Sequence, residues 1–275
     1  VRWRLIIAYE GSSPGVDYRN SWLRLTLRRL MVSASDACIT NSHAGKAYLT
    51  EFLNAKQEKV FVEPFEIPVL DAFSTGTPDS KTYFSSFQRP IFLFAGHVVP
   101  RKGLKLLLEA CAILHSQGNS NYTVLVVGDG PQQEELEALC QQQHLTECVR
   151  WEGRVDYENI GSYFQAADVF VLPTQEDTWG VVVLEAMLFG KPVLCSKGAG
   201  TSELVIDGEN GYTFSPEDSE VLAKRMLQFI QDPKLATVMG EKAKHVMSNH
   251  SPVLASKVLA EIAESALASG KVGEK

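Results

Sequence analysis

The chain has 275 residues, 45% of them hydrophobic and 21% charged, with a net charge of −7. That length holds one large or two ordinary domains. The composition excludes a disordered chain and collagen-like repeats, and no apolar stretch approaches the roughly 20 residues of a bilayer span. A uniformly basic nucleic-acid binder is also excluded, because residues 1–60 carry nine Lys and Arg against five Asp and Glu, leaving −7 − 4 = −11 for the rest.

The start, Val1-Arg2-Trp3-Arg4-Leu5-Ile6-Ile7-Ala8, has too short an apolar run for a signal peptide. The lack of an initiator Met predicts a fragment of a longer protein. Over the first 63 residues Arg4–Tyr9, Asp36–Thr40 and Lys59–Glu63 read as strands, and Ser21–Met31 and His43–Leu53 as helices. Three strands fall short of a doubly wound domain, so this part is an appendage or an incomplete domain. Helix Trp22–Met31 carries Arg24, Arg28 and Arg29 with Leu23, Leu27 and Leu30. A core helix with a solvated basic face is the commoner reading of this pattern, and contact with an anionic membrane surface the sharper one. The polar stretch Pro64–Pro90, with Ser74-Thr75-Gly76-Thr77-Pro78, reads as a linker.

Past residue 90, Ile91–Ala95, Thr123–Val127, Cys148–Glu152, Asp168–Leu172, Pro192–Ser196 and, more weakly, Tyr212–Phe214 are short apolar runs. Continuous rather than alternating hydrophobicity predicts strands buried on both faces, hence a parallel sheet. Between them Leu104, Leu107, Leu108, Cys111 and Leu114 form one helical stripe. Pro131 stands at a natural first helical position, and Ser251 is the candidate cap of a last helix opening at Pro252. The alternation predicts an α/β fold with one complete doubly wound, Rossmann-like domain. The five cysteines (Cys38, Cys111, Cys140, Cys148 and Cys195) form no C-x-x-C pair. They read as reduced core residues of a reducing compartment, and the histidines show no metal spacing.

Ligands of such a sheet bind outside the carboxyl ends of the strands, where four loops stand out. Gly96-His97-Val98-Val99-Pro100-Arg101-Lys102-Gly103 sets adjacent cations at a glycine-flanked helix start, which suits a diphosphate. Taken alone, a solvated basic turn explains it more simply. Gly128-Asp129-Gly130-Pro131 is read as a tight strand-to-helix turn rather than a phosphate loop. Glu152-Gly153-Arg154-Val155-Asp156 can wrap a base or merely turn the chain. The fourth runs from Pro173 to Met187. There Glu176 and Asp177 precede Gly180, and the following helix is apolar nearly all round except Glu185. A carboxylate in a buried helix is costly unless it is paired or hydrogen-bonded. A buried donor would satisfy it, and so would the hydroxyls of a sugar, which we prefer. The eight-residue spacing of Asp177 and Glu185 puts one at the cap and the other about two turns into the helix.

At these loops the sequence resembles the retaining, nucleotide-sugar-dependent glycosyltransferases of the GT-B fold, family 4 (group 1). The matching elements, in order, are Gly96…Arg101-Lys102-Gly103, Gly128-Asp129-Gly130-Pro131, Ala167–Pro173, Asp177-x-Trp-Gly…Leu184-Glu185-Ala186-Met187, Gly190-Lys191-Pro192-Val193, Gly200…Glu203 and Asp207-Gly208…Asn210-Gly211. They run through residues 91–230, and weaker likeness extends back through Ala34–Asp36, Asn41-Ser42 and Ala47-Tyr48-Leu49.

The resemblance implies a GT-B protein with three parts. Residues 1–89 would be a partial amino-terminal, acceptor-side domain and linker, residues 90–248 the nucleotide-sugar donor domain, and residues 249–275 a helix crossing back. It implies transfer of a hexose-type sugar from a nucleoside diphosphate sugar to an acceptor hydroxyl, with retention. The partners it implies are the nucleotide sugar and a saccharide or lipid-linked acceptor, and not nucleic acid. A peripheral membrane contact of the amino-terminal part at the inner face, and otherwise a cytoplasmic location, go with it. No cofactor and no metal are implied. Arg101 and Lys102 match the pair that holds the donor diphosphate and stabilises it as it departs. Glu185 matches a ribose clamp, and Asp177, with Glu176 beside it, takes the place of the glutamate that faces the donor sugar. Gly180 and Val181 offer N–H groups to phosphate or sugar. Gly96 and His97 line the donor loop, and Arg154 and Val155 match a base-contacting turn.

The sequence departs from the family in several places. Asp177 is one methylene shorter than the usual Glu. His97 stands where many relatives carry Arg, and Ala199 and Ser202 replace a Gly and a Pro. The family's acceptor-side histidine has no match, Glu10 being nearest by topology. A non-catalytic nucleotide-sugar-binding module and a GT-B sugar-nucleotide epimerase are the rival readings.

Overall fold

The computed structural model describes residues 7–9, 22–64, 67–73 and 78–271. Arg4–Ile6 of the first expected strand, the candidate Glu10 and the Ser74–Thr77 run lie outside them. The chain divides into two compact units, residues 1–67 with 249–275, and residues 68–248.

The first unit is a three-stranded parallel sheet of β1 (Ile7–Tyr9), β2 (Ala37–Thr40) and β3 (Val60–Val62), in that order. Helix α1 (Trp22–Ala34) joins β1 to β2, and α2 (His43–Ala47) follows β2. The Ser42 hydroxyl caps α2 by accepting from the Gly45 N–H at 3.1 Å. The helix expected over His43–Leu53 is in fact two pieces, because the ladder widens over Tyr48–Phe52 and Leu53 N–H donates to Tyr48 O at 3.2 Å. The terminal helix, Pro252–Lys271, opens after Ser251, whose hydroxyl accepts from Leu254 N–H at 3.2 Å. Its Ile262 packs with Ala37 and Ile39 of β2.

Helix α1 departs from the preferred reading in its apolar face. Trp22, Leu23, Leu27, Leu30 and Met31, neighbours at helical spacing, are all more than half exposed. Two of its cations also bond to the protein: Arg28, half-buried, donates Nη1 to Tyr48 Oη at 3.0 Å, and Arg29, exposed, donates Nε to Phe52 O at 2.9 Å. Val32 is buried and Leu25 half-buried, so the apolar ridge faces outward.

The second unit begins with a segment expected to be a linker. It holds α3 (Pro78–Ser85), and Phe73 and Phe84 are buried within this unit. Then come β4 (Ile91–Ala95), α4 (Leu104–Ser116), β5 (Thr123–Val127), α5 (Gln133–Gln142), β6 (Val149–Gly153), α6 (Gly161–Ala166) and β7 (Val169–Leu172). They are followed by α7 (Val182–Leu188), β8 (Val193–Ser196), β9 (Gly211–Phe214), α8 (Ser219–Gln231) and α9 (Lys234–Ser248). The six strands pair in parallel in the order β6-β5-β4-β7-β8-β9, the 3-2-1-4-5-6 arrangement of a doubly wound sheet. Every residue of β4, β5, β7 and β8 is buried, which is why their sequences are continuously apolar. Helix α4 supplies the expected stripe, Leu104, Leu107, Leu108, Cys111 and Leu114, to the core. Pro131 is not helical. It lies in the turn ahead of α5, which starts at Gln133.

All five cysteines are buried and none is in a disulfide, and burial pushes the Cys140 and Cys195 thiols up to about 12, far from a reactive thiolate. Among the described residues no helix is long and apolar enough to cross a membrane.

Candidate functional site

The strand order reverses between β4 and β7, so the loops that leave their carboxyl ends flank the crevice where such sheets bind ligands. Arg101 and Lys102 leave β4 in a 3-10 turn, Pro100–Lys102, that Gly103 ends in the left-handed region at φ 68°. A Cβ on Gly103 would lie 2.0 Å from Pro173 O, so only glycine lets the two loops touch. They are then stitched together. The Gln175 N–H and the Thr174 hydroxyl both donate to Arg101 O at 2.8 Å, and Arg101 Nη1 donates to Glu176 O at 2.9 Å.

This contact delivers Asp177 to the cations. Lys102 Nζ donates to Asp177 Oδ2 at 2.5 Å, and Arg101 Nη1 stands 3.9 Å from the same oxygen. The pair is largely buried, with the Lys102 side chain 18% and the Asp177 side chain 12% exposed. On its other side the Asp177 backbone bridges the loop after β8, its N–H donating to Gly198 O at 2.9 Å and its carbonyl accepting from Gly200 N–H at 3.1 Å. Arg101 and Lys102 thus stand against Asp177, with Glu176 beside it, in a crevice that solvent screens poorly.

Glu185 lies on α7, the next helix. Gly180, at φ 86°, holds the chain out of the helix, so α7 starts late and Glu185 sits in its first turn, not two turns in. Its neighbours Val183, Leu184, Ala186 and Met187 are buried, and Glu185 itself is only 4% exposed. Burial pushes its carboxyl above the ordinary 4.5, while a hydrogen bond from Tyr157 pulls the other way. The Tyr157 hydroxyl donates to Oε1 at 3.0 Å. Gly180 and Val181 precede the first turn, and their carbonyls accept from the Val183, Leu184 and Glu185 N–H groups.

The remaining expected residues are spread along the strand ends. Gly96 and His97 follow β4. His97 Nδ1 lies 2.7 Å from Asp129 O, and since a carbonyl only accepts, that nitrogen carries the proton. Gly128 is needed for this contact between loops, because at φ 130° its Cβ would stand 2.0 Å from Gly96 O. This agrees with the tight-turn reading. Arg154, exposed, and Val155, half-buried, follow β6. Among the described residues they make no recorded contact with Arg101, Lys102 or Asp177.

The fold therefore gathers Arg101, Lys102, Glu176 and Asp177 into one cluster. Glu185 lies further along the same loop and helix, and residues 154 and 155 lie on a separate loop. What sequence reasoning missed is Tyr157, which ties that separate loop to Glu185. No periodicity relates two residues 28 apart. Among the described residues no group of three or more His, Cys, Asp and Glu is placed to hold a metal ion.

Comparison with known proteins places these loops. A family model described as "Glycosyl transferases group 1" matches residues 80–246. The chain is 31% identical over 225 residues to D-inositol 3-phosphate glycosyltransferase of Streptomyces avermitilis, covering 78% of this chain and 48% of that one. It is also 31% identical over 155 residues to alpha-D-kanosaminyltransferase of Streptomyces kanamyceticus, covering 56% of this chain and 40% of the relative. The chain thus spans about half the length of these curated relatives, or less. Among solved structures, Anabaena HepE in complex with UDP is similar at a TM-score of 0.82 and 22% identity, covering 95% of this chain and 72% of that one. Sucrose-phosphate synthase from Thermosynechococcus elongatus gives a TM-score of 0.79 at 24% identity, covering 96% and 68%. At such identities these two structures bear on the fold alone.

Proposed function

The chain belongs to the group 1 glycosyl transferases, and from that premise we propose that it carries the donor site of a retaining glycosyltransferase of the GT-B fold. The observation that carries this reading is the Arg101–Lys102–Asp177 cluster, two adjacent cations brought to the switch point of the sheet. Arg101 and Lys102 hold the diphosphate of a nucleoside diphosphate sugar. Glu185 receives the ribose hydroxyls. Asp177, with Glu176 beside it, faces the donor sugar, and Gly180 and Val181 give their N–H groups to phosphate or sugar. Gly96 and His97 border the diphosphate, and Arg154 and Val155 contact the base. HepE has been crystallised with UDP-glucose, a donor of the class proposed here.

In the reaction the bond between the sugar C1 and the diphosphate oxygen breaks. The acceptor oxygen bonds to C1 on the same face, and its proton passes to the departing diphosphate. The two cations favour this step because negative charge builds on the diphosphate as the bond breaks. A hexose-type sugar and a saccharide or lipid-linked acceptor complete the proposal. Residues 90–248 are the donor domain, the amino-terminal unit contributes to the acceptor side, and no metal or cofactor takes part.

A thermal-shift and calorimetric panel of UDP, GDP and ADP tests the reading. One of them is expected to raise the melting temperature and bind saturably, by linkage of binding to folding. If none does, the donor site is wrong. Binding without donor turnover by the protein's full reading frame would instead make it a nucleotide-sugar-binding module.

The proposal extends to the cytoplasmic face of a membrane. The outward ridge of Trp22, Leu23, Leu27, Leu30 and Met31 beside Arg24 suits an interface of acyl chains and anionic headgroups. Co-sedimentation with phosphatidylglycerol vesicles is expected for the unaltered chain and not for the Leu27→Glu/Leu30→Glu variant. Equal pelleting of the two, or none of either, removes the contact.

A further inference from the structure

Tyr157 belongs to none of the family motifs, yet the side-chain hydrogen bond recorded for Glu185 comes from it. A carboxyl that is 4% exposed is driven by burial toward its protonated form. Protonation turns one of its acceptors into a donor, so a ribose whose paired hydroxyls must both donate loses a partner. The Tyr157 hydroxyl opposes this by donating to Oε1 at 3.0 Å, which favours the ionised form.

The hydroxyl is held in place by its own ring. Tyr157 opens the 3-10 turn Tyr157–Asn159, and its ring centroid lies 5.1 Å from that of Phe73. Phe73 is buried and is met edge-on by Phe189 at 5.4 Å and by Phe164 at 6.4 Å. The Tyr157 phenol is pushed up to about 12 by desolvation and by the Glu185 charge, so it remains a donor at neutral pH. Of the elements packed on α7, β7 has no ionisable side chain and β8 has the buried Cys195 thiol. Helix α9 carries Lys234, Glu241, Lys242, Lys244 and His245, and the 157–159 turn carries Glu158. None of these charges is among the causes that move the Glu185 carboxyl, which are burial and the Tyr157 hydrogen bond.

We propose that Tyr157 is a positioning residue for Glu185: by donating to Oε1 it holds the carboxylate ionised and in one orientation, leaving Oε2 to receive the hydroxyls of a nucleoside ribose. This rests on the reading of Glu185 as the ribose contact. Tyr157→Phe keeps the ring on Phe73 and removes the hydroxyl. Two measurements follow. The first is the Glu185 carboxyl titration in protein labelled with 13C at the glutamate side-chain carboxyl, assigned by its absence in Glu185→Gln. The second is the pH profile of affinity for UDP, GDP and ADP.

In Tyr157→Phe the Glu185 titration is expected to move to higher pH. The acid limb of the affinity profile should move by the same amount, with affinity recovered in alkaline solution. A merely structural role would lower affinity equally at every pH, and that result overturns the proposal. An unmoved Glu185 titration in a protein that binds a nucleoside diphosphate overturns the role of Tyr157 alone. A moved titration in a protein that binds none of the three overturns the ribose reading beneath it.

Discussion

Glu185→Gln is expected to weaken nucleoside diphosphate binding about a hundredfold, from the lost charge assistance on two hydrogen bonds at about 1.5 kcal/mol each. The same variant is expected to be at least as stable as the unaltered protein at neutral pH. The two effects have one cause. Burial raises the Glu185 carboxyl above its ordinary 4.5 in the folded state, so ionisation costs the folded protein more than the unfolded chain. Below the unfolded value both states are protonated and the cost is absent. As pH rises through the raised folded value the cost appears in full and stability falls by that much. Gln can still accept from the Tyr157 hydroxyl and carries no charge, so this pH-dependent loss disappears in the variant. Denaturant unfolding at acid and neutral pH, beside calorimetric titration of the bound nucleotide, checks both halves. A destabilised variant with intact binding would make Glu185 a structural residue and sink its assignment to the ribose.

Lys102→Ala separates architecture from chemistry at the other end of the site. Lys102 Nζ and Asp177 Oδ2 are 2.5 Å apart, and their side chains are 18% and 12% exposed. Removing the lysine leaves Asp177 with the more distant Arg101 guanidinium, 3.9 Å away. The expected loss is about 2–3 kcal/mol of folding stability together with about a 10²–10³-fold fall in turnover, the scale seen when one donor to a developing anion is removed. The double variant Lys102→Ala/Asp177→Ala is expected to regain much of the stability, because no partly buried charge is left unpaired, and none of the turnover. That cycle isolates the pair. If the single variant keeps full nucleotide affinity and turnover, the cluster is a structural ion pair and the anion-site argument falls.

The legible parts of the chain share a physical origin. Strands β4, β5, β7 and β8 are buried on both faces, so their sequences run continuously apolar and their limits were read to within a residue. The Gly-flanked cations at 101 and 102, which taken alone read as a solvated basic turn, stood out only through the motifs that accompany them along the chain. Less was legible where the environment, not the residue type, sets the outcome. Helix α1 has an ordinary amphipathic pattern, and only the tertiary structure decides that Arg28 and Arg29 bond to Tyr48 and Phe52 while Leu23, Leu27 and Leu30 stay outside. The 64–90 stretch is polar enough to read as a linker, yet Phe73 and Phe84 bury in the second unit.

By itself, then, the sequence determined the doubly wound class, the loops of the candidate site and the residue types in them, because each of these is written in neighbouring positions. Which of those loops meet was decided by strand order. Placing β4 beside β7 brings Lys102 to Asp177 across 75 residues. The turn after β6 brings Tyr157 to Glu185 across 28. Both contacts give a carboxylate its side-chain partner, and both depend on residues that are distant along the chain.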